Sequence, residues 1–485
     1  MSRRLLVMLL VSGIGMLPHD ASAQANPSAK VVGTWTGRLD VGGGLAIVFH
    51  VEQAEGGGLK ATMDSPDQGA KGIPVSQAMF ADGTLRLVVA VAQGQFEGKL
   101  SEDGAKITGT WQQSGTSFPL ELGKGSAPER KARPQEPTGP LPYEATDVTF
   151  HNASAGIDLA GTLTLPRSPG PHPAVVLITG SGAQDRDEAL LGHKPFLVLA
   201  DHLTRKGIAV LRYDDRGTAK SGGNFATATS ADFTTDALAA VAFLKTRREI
   251  APAKIGLVGH SEGGLIAPMA AAESNDVAFI VLMAGPGVNG EKILLAQIEK
   301  IARANGVPEQ RIQKSLDEEV QLFDVLRSNN DEAWKTGRLR EIMRSSLDAL
   351  SAEEKAAIGK TQADIDRYVD GQLARVTSPW FRYFLTYEPR TALEKVRVPV
   401  LALNGALDAQ VPPDQSLPEI EAALKKAGNR DVTVRKLPGL NHLFQHAQTG
   451  APSEYAAIDE TISPDALDLM STWILQRFGS PRSTR

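Results

Sequence analysis

A serine flanked by glycines follows an apolar stretch in the second half of the chain. The pentapeptide Gly259-His260-Ser261-Glu262-Gly263 comes directly after the apolar residues 255–258 and before a segment rich in small residues. A serine on a sharp turn from strand to helix has a strained backbone, and glycines two residues away avoid a clash. The strain exposes the hydroxyl at the carboxyl end of a sheet, where open α/β folds bind ligands. We predict that Ser261 is a nucleophile and that Gly259, His260 and Gly263 form its turn.

Ser261 needs an adjacent base, because a serine hydroxyl alone is a weak nucleophile. In this kind of turn the partners follow in the chain order Ser, then Asp or Glu, then His. Asp408 follows the predicted strand 398–403, and His442 follows the predicted strand 432–435. We predict that His442 takes the serine proton and that Asp408 fixes the tautomer of the histidine. His446 is the competing base.

The oxyanion formed in such a reaction needs two converging N–H donors. The amide of Glu262, the residue after the nucleophile, is the first candidate. The second donor should come from the loop 179–183, whose two glycines let a substrate approach the backbone closely. Ser181 and Gly182 are the candidates, and the sequence does not choose between them.

Two charged clusters occupy neighbouring loops at predicted strand ends. They are Asp-Arg-Asp at 185–187 and Tyr-Asp-Asp-Arg-Gly at 213–217. We predict a buried ion-pair network that supports the oxyanion loop, the alternative being solvated surface charge. The side chains of His260 and Glu262 are interpreted as supporting groups. The other histidines lack metal-ligand spacing and no glycine-rich stretch has the lysine of a phosphate loop, so we predict no metal and no cofactor.

The elements that must position these residues are strands alternating with helices. The continuous apolar run 174–178 is typical of a strand buried on both faces of a parallel sheet. The alternation predicts a doubly wound, mostly parallel α/β-hydrolase sheet, divided into residues 146–287 and 394–480. Residues 288–393 have apolar positions at helical spacing and are predicted to form a helical cap over the active site. The alternative for this insertion is ordinary crossover helices.

The front of the chain has a different pattern. Residues 29–124 contain short alternating runs, and Asp82-Gly83 and Asp103-Gly104 give strong hairpin signals. We predict a small antiparallel all-β domain, a barrel or sandwich of roughly six to eight strands. The proline-rich residues 125–145 are predicted to be a linker.

Composition narrows the class of protein. A chain of 485 residues is expected to form more than one domain. Apolar residues at 42% and charged residues at 22% are typical of a soluble globular protein. The formal net charge of -5 gives no reason to expect nucleic acid as a partner. The absence of cysteine excludes disulfides and thiolate catalysis.

The first 23 residues have the three parts of a secretory signal peptide. A short basic start precedes the apolar run 5–17, and Ala21-Ser22-Ala23 offers a cleavage site after Ala23. The run is too short to span a bilayer, so we predict a periplasmic or secreted protein without stable membrane insertion. The alternative is an uncleaved interfacial anchor.

Six separated motifs resemble, in order, those of bacterial α/β-hydrolase esterases with an N-terminal β domain, the EstD-like carboxylesterases. The motifs are residues 178–188, 212–217, 259–264, 378–384, 404–408 and 439–445. The resemblance extends from about Asp147 to Phe478 and more loosely to the front domain. It implies a carboxylesterase that acts on short or medium acyl esters, with triad roles for Ser261, Asp408 and His442.

The leading functional hypothesis is a serine hydrolase that cleaves small-molecule carboxylic esters through an acyl-enzyme. A serine peptidase or amidase of the same fold is one alternative, because the same triad cleaves both bond types. From a different class, an envelope ligand-binding protein could use the β domain as its main part. The sequence specifies neither an oligomeric state nor a physiological substrate.

Overall fold

The structure, a computed structural model, describes residues 27–39, 45–54, 57–66, 70–89, 94–113, 116–125, 133–348, 350, 355, 358 and 362–479. Within them, one compact unit comprises residues 133–317 and 379–479, and a second comprises residues 27–125 and 318–378. The predicted signal peptide, residues 1–23, lies outside the described residues, as does the stretch 126–132 of the predicted linker. None of the helices in the described ranges is long and apolar enough to cross a membrane.

The second unit contains a sheet of nine antiparallel strands. They are β1 (Gly33–Leu39), β2 (Leu45–Gln53), β3 (Leu59–Ser65), β4 (Ala70–Val75), β5 (Gln77–Ala81), β6 (Thr84–Val89), β7 (Gly94–Leu100), β8 (Lys106–Gln113) and β9 (Thr116–Lys124). Their order is β4-β3-β2-β1-β9-β8-β7-β6-β5. The inward face buries Trp35, Phe49, Phe96 and Trp111 in one core. The predicted all-β domain is confirmed, and its described residues form nine strands rather than six to eight.

The hairpin between β5 and β6 has the backbone that its sequence predicts. Asp82 and Gly83 have φ values of 49° and 73°. Positive φ at both central residues is the type I′ geometry, which matches the twist of the flanking strands. Asp103-Gly104 lies between β7 and β8, where Gly104 has a φ of 70°.

The first unit is built on a sheet of eight strands. They are β10 (Tyr143–Asn152), β11 (Ile157–Pro166), β12 (His172–Ile178), β13 (Ala209–Tyr213), β14 (Ile250–His260), β15 (Phe279–Met283), β16 (Val400–Gly405) and β17 (Val432–Leu437). Their order is β10-β11-β13-β12-β14-β15-β16-β17. β11 pairs antiparallel with β10 and β13, whereas the remaining pairs are parallel. The predicted mostly parallel sheet is confirmed.

The sequence did not reveal β10 and β11. β10 begins at Tyr143, inside the segment 125–145 that was predicted as linker. β11 is buried along most of its length but contains threonines where an aliphatic run would be expected. Thr162 and Thr164 are buried because their hydroxyls bond to Asp147 and Thr204, at 2.9 and 2.7 Å.

Helices of the first unit cover both faces of this sheet. Numbered along the chain, the helices of the described residues are α1 (Pro195–Arg205), α2 (Ser230–Lys245), α3 (Gly263–Glu273), α4 (Gly290–Ala304), α5 (Glu309–Arg327), α6 (Glu332–Asp348), α7 (Gln362–Val376), α8 (Pro379–Thr386), α9 (Arg390–Leu393), α10 (Pro413–Lys426) and α11 (Pro464–Phe478). Of these, α6, α7 and the later part of α5 belong to the second unit. α2, α3 and α10 pack on the face that carries Val176, and α1 and α11 pack on the face that carries Val175. Each residue of β12 is therefore buried, which explains its continuous apolar sequence.

The predicted helical segment 288–393 contains α4 to α9. In the first unit, Ile293 of α4 and Phe384 of α8 pack against Leu265 of α3. In the second unit, Leu347 of α6 and Val369 of α7 belong to one small apolar cluster. The segment is helical because its apolar residues recur at helical spacing between charged ones.

Candidate active site

Ser261 lies on the turn from β14 to α3. Its φ is 52°, in the left-handed region that residues with a side chain rarely adopt. The Ser261 amide donates to the carbonyl of Met283 at 2.8 Å, and the Ser261 carbonyl accepts the amide of Gly264 at 2.9 Å. These bonds fix the strained turn between the ends of β14 and β15. The hydroxyl is thus carried at the carboxyl edge of the sheet.

The glycines around Ser261 are required by close backbone approaches. A Cβ atom at Gly259 would overlap the carbonyl of Gly263, and one at Gly263 would overlap the carbonyl of Ile178. A Cβ atom at Gly264 would lie 2.6 Å from the Cα of Gly285. Glycine lets α3 begin directly against the ends of β12 and β15.

The structure brings the side chains of Asp408 and His442 together. Asp408 Oδ2 and His442 Nδ1 are 2.8 Å apart, and the two side chains are 0% and 5% exposed. The other carboxylate oxygen, Oδ1, accepts the amides of Gln410 and Val411, each at 2.8 Å. The loop after β16 therefore orients its own carboxylate toward the histidine.

The loop that carries His442 follows β17 and is held by a side-chain network. Asn441 Oδ1 accepts the amides of Leu443 and Gln445 at 3.0 and 2.9 Å. Asn441 Nδ2 donates to the side chain of Gln445 at 2.9 Å. The turn around His442 is thereby fixed by buried amide groups.

His446, the competing base, is engaged elsewhere. Its Nδ1 lies 2.9 Å from Glu460 Oε2, and its side chain is 59% exposed. It contacts this glutamate through an exposed side chain, whereas His442 contacts the buried Asp408. This geometry favours His442 as the base.

His260 is buried between two acceptors that the sequence did not reveal. Its Nδ1 lies 2.9 Å from Glu188 Oε1, and its Nε2 lies 3.1 Å from the carbonyl oxygen of His442. The same Glu188 oxygen accepts the amide of Gly180 at 2.7 Å. The rings of His260 and His442 have centroids 4.9 Å apart. Glu188 was not singled out; its position at the end of the motif 178–188 was its only sequence signal.

Asp215 shapes the predicted oxyanion loop. Its Oδ1 accepts the hydroxyl of Thr179 at 2.7 Å, and its Oδ2 accepts the amide of Gln184 at 2.9 Å. Burial raises the pKa of Asp215 well above its usual range. Gly182 has a φ of 99°, so the loop turns where only glycine is relaxed.

The loop and the nucleophile turn border the same pocket. Gly182 and Glu262 both line it, together with Ile178, Thr179, Gly180, Tyr213, Phe233, Asp236, Asp215 and Ile266. Because the Gly180 amide already donates to Glu188, Ser181 and Gly182 stay the two candidates for the second oxyanion donor.

The charged clusters form the predicted ion-pair network. Arg186 donates through Nε and Nη2 to the two oxygens of Asp214, at 3.0 and 2.8 Å. Arg216 bonds in the same way to both oxygens of Asp236, at 2.7 and 2.9 Å. Bidentate pairs of this kind are strong and directional, so they brace the loops after β12 and β13. Among the described residues, no group of three or more acidic or histidine side chains could hold a metal ion.

The side chain of Glu262 is buried beside the nucleophile turn. Its Oε1 accepts the hydroxyl of Ser230 at 2.6 Å and the indole N–H of Trp380 at 2.8 Å. Burial raises the pKa of Glu262. The carboxyl group therefore connects the nucleophile turn to α2 and α8, which supports its interpretation as a supporting group.

The sheet order and the strand-turn-helix arrangement at Ser261 are those of an α/β-hydrolase. The sequence profile of the family described as serine aminopeptidase, S33, matches residues 194–447, just over half of the 485 residues. The chain belongs to this family.

Named relatives include esterases. The chain is 25% identical over 339 residues to esterase EstD of Thermotoga maritima, and the match covers 70% of this chain and 69% of that protein. The Pyrococcus furiosus esterase PF2001 is 15% identical with a TM-score of 0.41, covering 73% of this chain and 100% of the other. The ferulic acid-bound Est1E of Butyrivibrio proteoclasticus is 19% identical with a TM-score of 0.38, covering 68% and 96%. The predicted resemblance to EstD-like esterases and the predicted enzyme class, a carboxylesterase-type hydrolase, are confirmed.

Proposed function

We propose that the chain hydrolyses small carboxylic esters through an acyl-enzyme, with Ser261 as nucleophile, His442 as base and Asp408 as its orienting partner. One observation carries the proposal. The buried pair of Asp408 and His442, 2.8 Å apart, follows strands of the same sheet whose carboxyl edge holds Ser261 in a strained turn. Strain that is maintained by surrounding bonds is characteristic of a functional position.

In the acylation step, the Ser261 hydroxyl oxygen attacks the ester carbonyl carbon while its proton passes to Nε2 of His442. The carbonyl π electrons move onto oxygen, and this oxyanion accepts hydrogen bonds from the amide of Glu262 and that of Ser181 or Gly182. When the oxyanion collapses, the bond to the alcohol oxygen breaks. The proton on His442 then passes to that oxygen, and the alcohol leaves.

Deacylation repeats these movements with water. His442 takes a proton from water as the water oxygen attacks the acyl carbon, and the same donors stabilise the second oxyanion. Collapse breaks the bond to Ser261, which regains its proton from His442. The hydrogen bond from Nδ1 to Asp408 keeps the histidine in the tautomer that both steps require.

We propose short and medium acyl esters as substrates, because the six motifs resemble those of EstD-like carboxylesterases and the resemblance implies this substrate class. In this proposal part of the segment 288–393 acts as a cap, and its aromatic residues Trp380, Phe381 and Tyr383 contribute apolar lining. The bond from Trp380 to Glu262 supports this assignment, because it ties α8 to the residue after the nucleophile.

Peptide or amide hydrolysis is a second candidate, favoured by the description of the family as serine aminopeptidase, S33. Amide cleavage requires protonation of a poor leaving group, which His442 would supply. Turnover of p-nitrophenyl acyl esters should be compared with that of aminoacyl p-nitroanilides. We expect ester turnover to exceed anilide turnover, and the reverse order would favour the peptidase.

Covalent labelling tests the nucleophile directly. A fluorophosphonate probe should label the wild type at Ser261 and should not label Ser261→Ala. Ser274→Ala, at the other end of α3, is the matched control and should label like the wild type. Peptide mapping by mass spectrometry locates the adduct. Undiminished labelling of Ser261→Ala would refute the assignment.

We further propose that residues 29–124 form a structural accessory domain, joined to the rest of the chain by a linker that ends before β10 begins at Tyr143. A variant that lacks residues 24–125 keeps Arg133 and Gln135, which bond to Ala456 and Thr461 at 2.7 and 2.6 Å. We expect this variant to lose solubility and turnover together. Undiminished, stable turnover would instead favour a ligand-binding role for the β domain.

We also propose export, with residues 1–23 as a cleaved signal peptide. Its support is the basic, apolar and small-residue succession of that segment. N-terminal sequencing of protein from the periplasm or the medium of an expressing bacterium should begin at Gln24. Retention of the whole chain in the cytoplasm would contradict export.

A further inference from the structure

The hydrogen-bond partners of His260 specify the protonation of its ring. A backbone carbonyl oxygen only accepts, so the Nε2 that faces the carbonyl of His442 at 3.1 Å must carry a hydrogen. Nδ1 faces Glu188 Oε1 at 2.9 Å, and that oxygen already accepts the amide of Gly180. A carboxylate oxygen that accepts both bonds requires a hydrogen on Nδ1 as well. Two ring N–H groups make His260 an imidazolium.

The surroundings of the ring support the charged form. Burial opposes a charge on His260, but the Glu188 carboxylate, the two hydrogen bonds and the more distant Asp408 outweigh it and raise the pKa of His260. The titratable groups that face the ring are Glu188 from the loop after β12, His442 from the loop after β17, and Asp408 from the loop after β16.

The two oxygens of Glu188 differ in their hydrogen bonds. Oε2 is buried and makes no hydrogen bond to any part of the chain that the structure describes. The hydrogen bonds described for the Glu188 side chain therefore run through Oε1, to His260 and Gly180. Placing a buried carboxylate at this junction compensates a buried cation.

We propose that His260 is a positioning residue that works as an imidazolium. With Glu188 it connects the oxyanion loop at Gly180, the nucleophile turn through its own backbone, and the loop of the base through the carbonyl of His442. This role rests on the proposed function, since it aligns Ser261 with His442. Charge-assisted hydrogen bonds are shorter and stronger than neutral ones, so the protonated ring holds the three loops more firmly than a neutral ring would.

The protonation state can be measured without any catalysis. Ser261→Ala removes the proposed nucleophile, and long-range proton–nitrogen NMR spectra of this variant report the ring nitrogens of its histidines. The His260 signals are assigned by their absence in Ser261→Ala/His260→Gln. We expect both ring nitrogens of His260 to be protonated at pH 7, above the usual histidine pKa of about 6.5. A ring with an unprotonated nitrogen at pH 7 would refute the inference.

Kinetics test the positioning role against a matched control. His260→Gln keeps one donor, so we expect kcat to fall about 10- to 100-fold with little change in KM, the scale of a misplacement of about 1 Å. The control is His446→Gln. His446 also lies 2.9 Å from a glutamate, but its side chain is exposed, so this variant should change kcat by less than about twofold. Equal, small effects of the two variants would overturn the role.

The pH profile provides a readout that packing alone would not move. A raised pKa means that the bonds of His260 are complete at low pH and are lost as pH rises through that pKa. Wild-type kcat should therefore fall at alkaline pH, and this decline should be absent in His260→Gln. An identical decline in both proteins would refute the positioning role. If the variant does not fold, the role is tested by the wild-type pH profile together with the NMR spectra. Absence of both ester and amide turnover in the wild type would refute the proposed function instead.

Discussion

Two buried histidine–carboxylate pairs lie side by side in the first unit, with ring centroids 4.9 Å apart. His442 contacts Asp408 at 2.8 Å and His260 contacts Glu188 at 2.9 Å, each through Nδ1. The carboxylates are anchored differently. Asp408 accepts two amides of its own loop, whereas Glu188 accepts the amide of Gly180 from the oxyanion loop.

The difference lies in what each pair is free to do. Nε2 of His260 is committed to a backbone carbonyl, so this ring cannot accept or deliver a proton there without breaking a bond between two loops. In the proposed function, Nε2 of His442 accepts the proton of the Ser261 hydroxyl. Residue type, burial and distance are nearly equal in the two pairs. The partner of the second nitrogen therefore separates a base from a positioning group.

The largest effect is expected at Asp408. In Asp408→Asn the new Oδ1 can keep the amides of Gln410 and Val411, so the loop stays folded. The new amide group then faces His442 and stabilises the wrong tautomer. We expect kcat on a p-nitrophenyl ester to fall about 10⁴-fold, the effect of this change in a serine protease triad.

The fold of Asp408→Asn is checked by circular dichroism and thermal melting, which should match the wild type. A decrease of less than about tenfold in a folded variant would show that Asp408 is not the orienting partner. It would also remove the distinction between the two pairs.

The same chemical change in the other pair should cost much less. Glu188→Gln keeps an oxygen that can accept the Gly180 amide but removes the charge that compensates His260. We expect kcat to fall about 10- to 100-fold, because alignment is loosened while the proposed triad is intact. A loss as large as that of Asp408→Asn would mean that both pairs take part in the chemistry and would break the comparison.

The sequence predicted one pair and missed the other for a physical reason. Ser261, Asp408 and His442 each lie in a local signature, a glycine-bounded turn or a loop that follows an apolar strand, and the fold imposes their order. Glu188 has no such signature. Glu188 contacts His260, which lies 72 positions later in the sequence, and the φ of Glu188 itself is 51°. Only tertiary packing brings such a pair together.

The same contrast holds for the fold. The continuous apolar run of β12 and the Asp-Gly hairpin between β5 and β6 are local patterns, and both were recognised in the sequence. β11 was not recognised, because Thr162 and Thr164 are buried through bonds to partners elsewhere in the chain. Local sequence predicts elements that bury apolar side chains, and it misses those that bury satisfied polar ones.

A third buried carboxyl group, that of Glu262, has no histidine partner, and its substitution is expected to have the smallest effect on activity. Its Oε1 accepts two neutral donors, Ser230 and Trp380, and burial raises its pKa. Because the pKa of this carboxyl group is raised on folding, its contribution to stability is complete below the pKa of the unfolded chain and is lost as pH rises through the pKa of the folded protein.

Glu262→Gln keeps the accepting oxygen and does not ionise. The melting temperature of the variant relative to the wild type should therefore increase from pH 4.5 to pH 7, equivalent to about 1 kcal/mol in the free energy of unfolding. The backbone amide proposed as an oxyanion donor is unchanged, so kcat should stay within about threefold. If the stability difference between the two proteins does not vary with pH, then burial does not penalise the ionised form of Glu262, and its surroundings stabilise that charge.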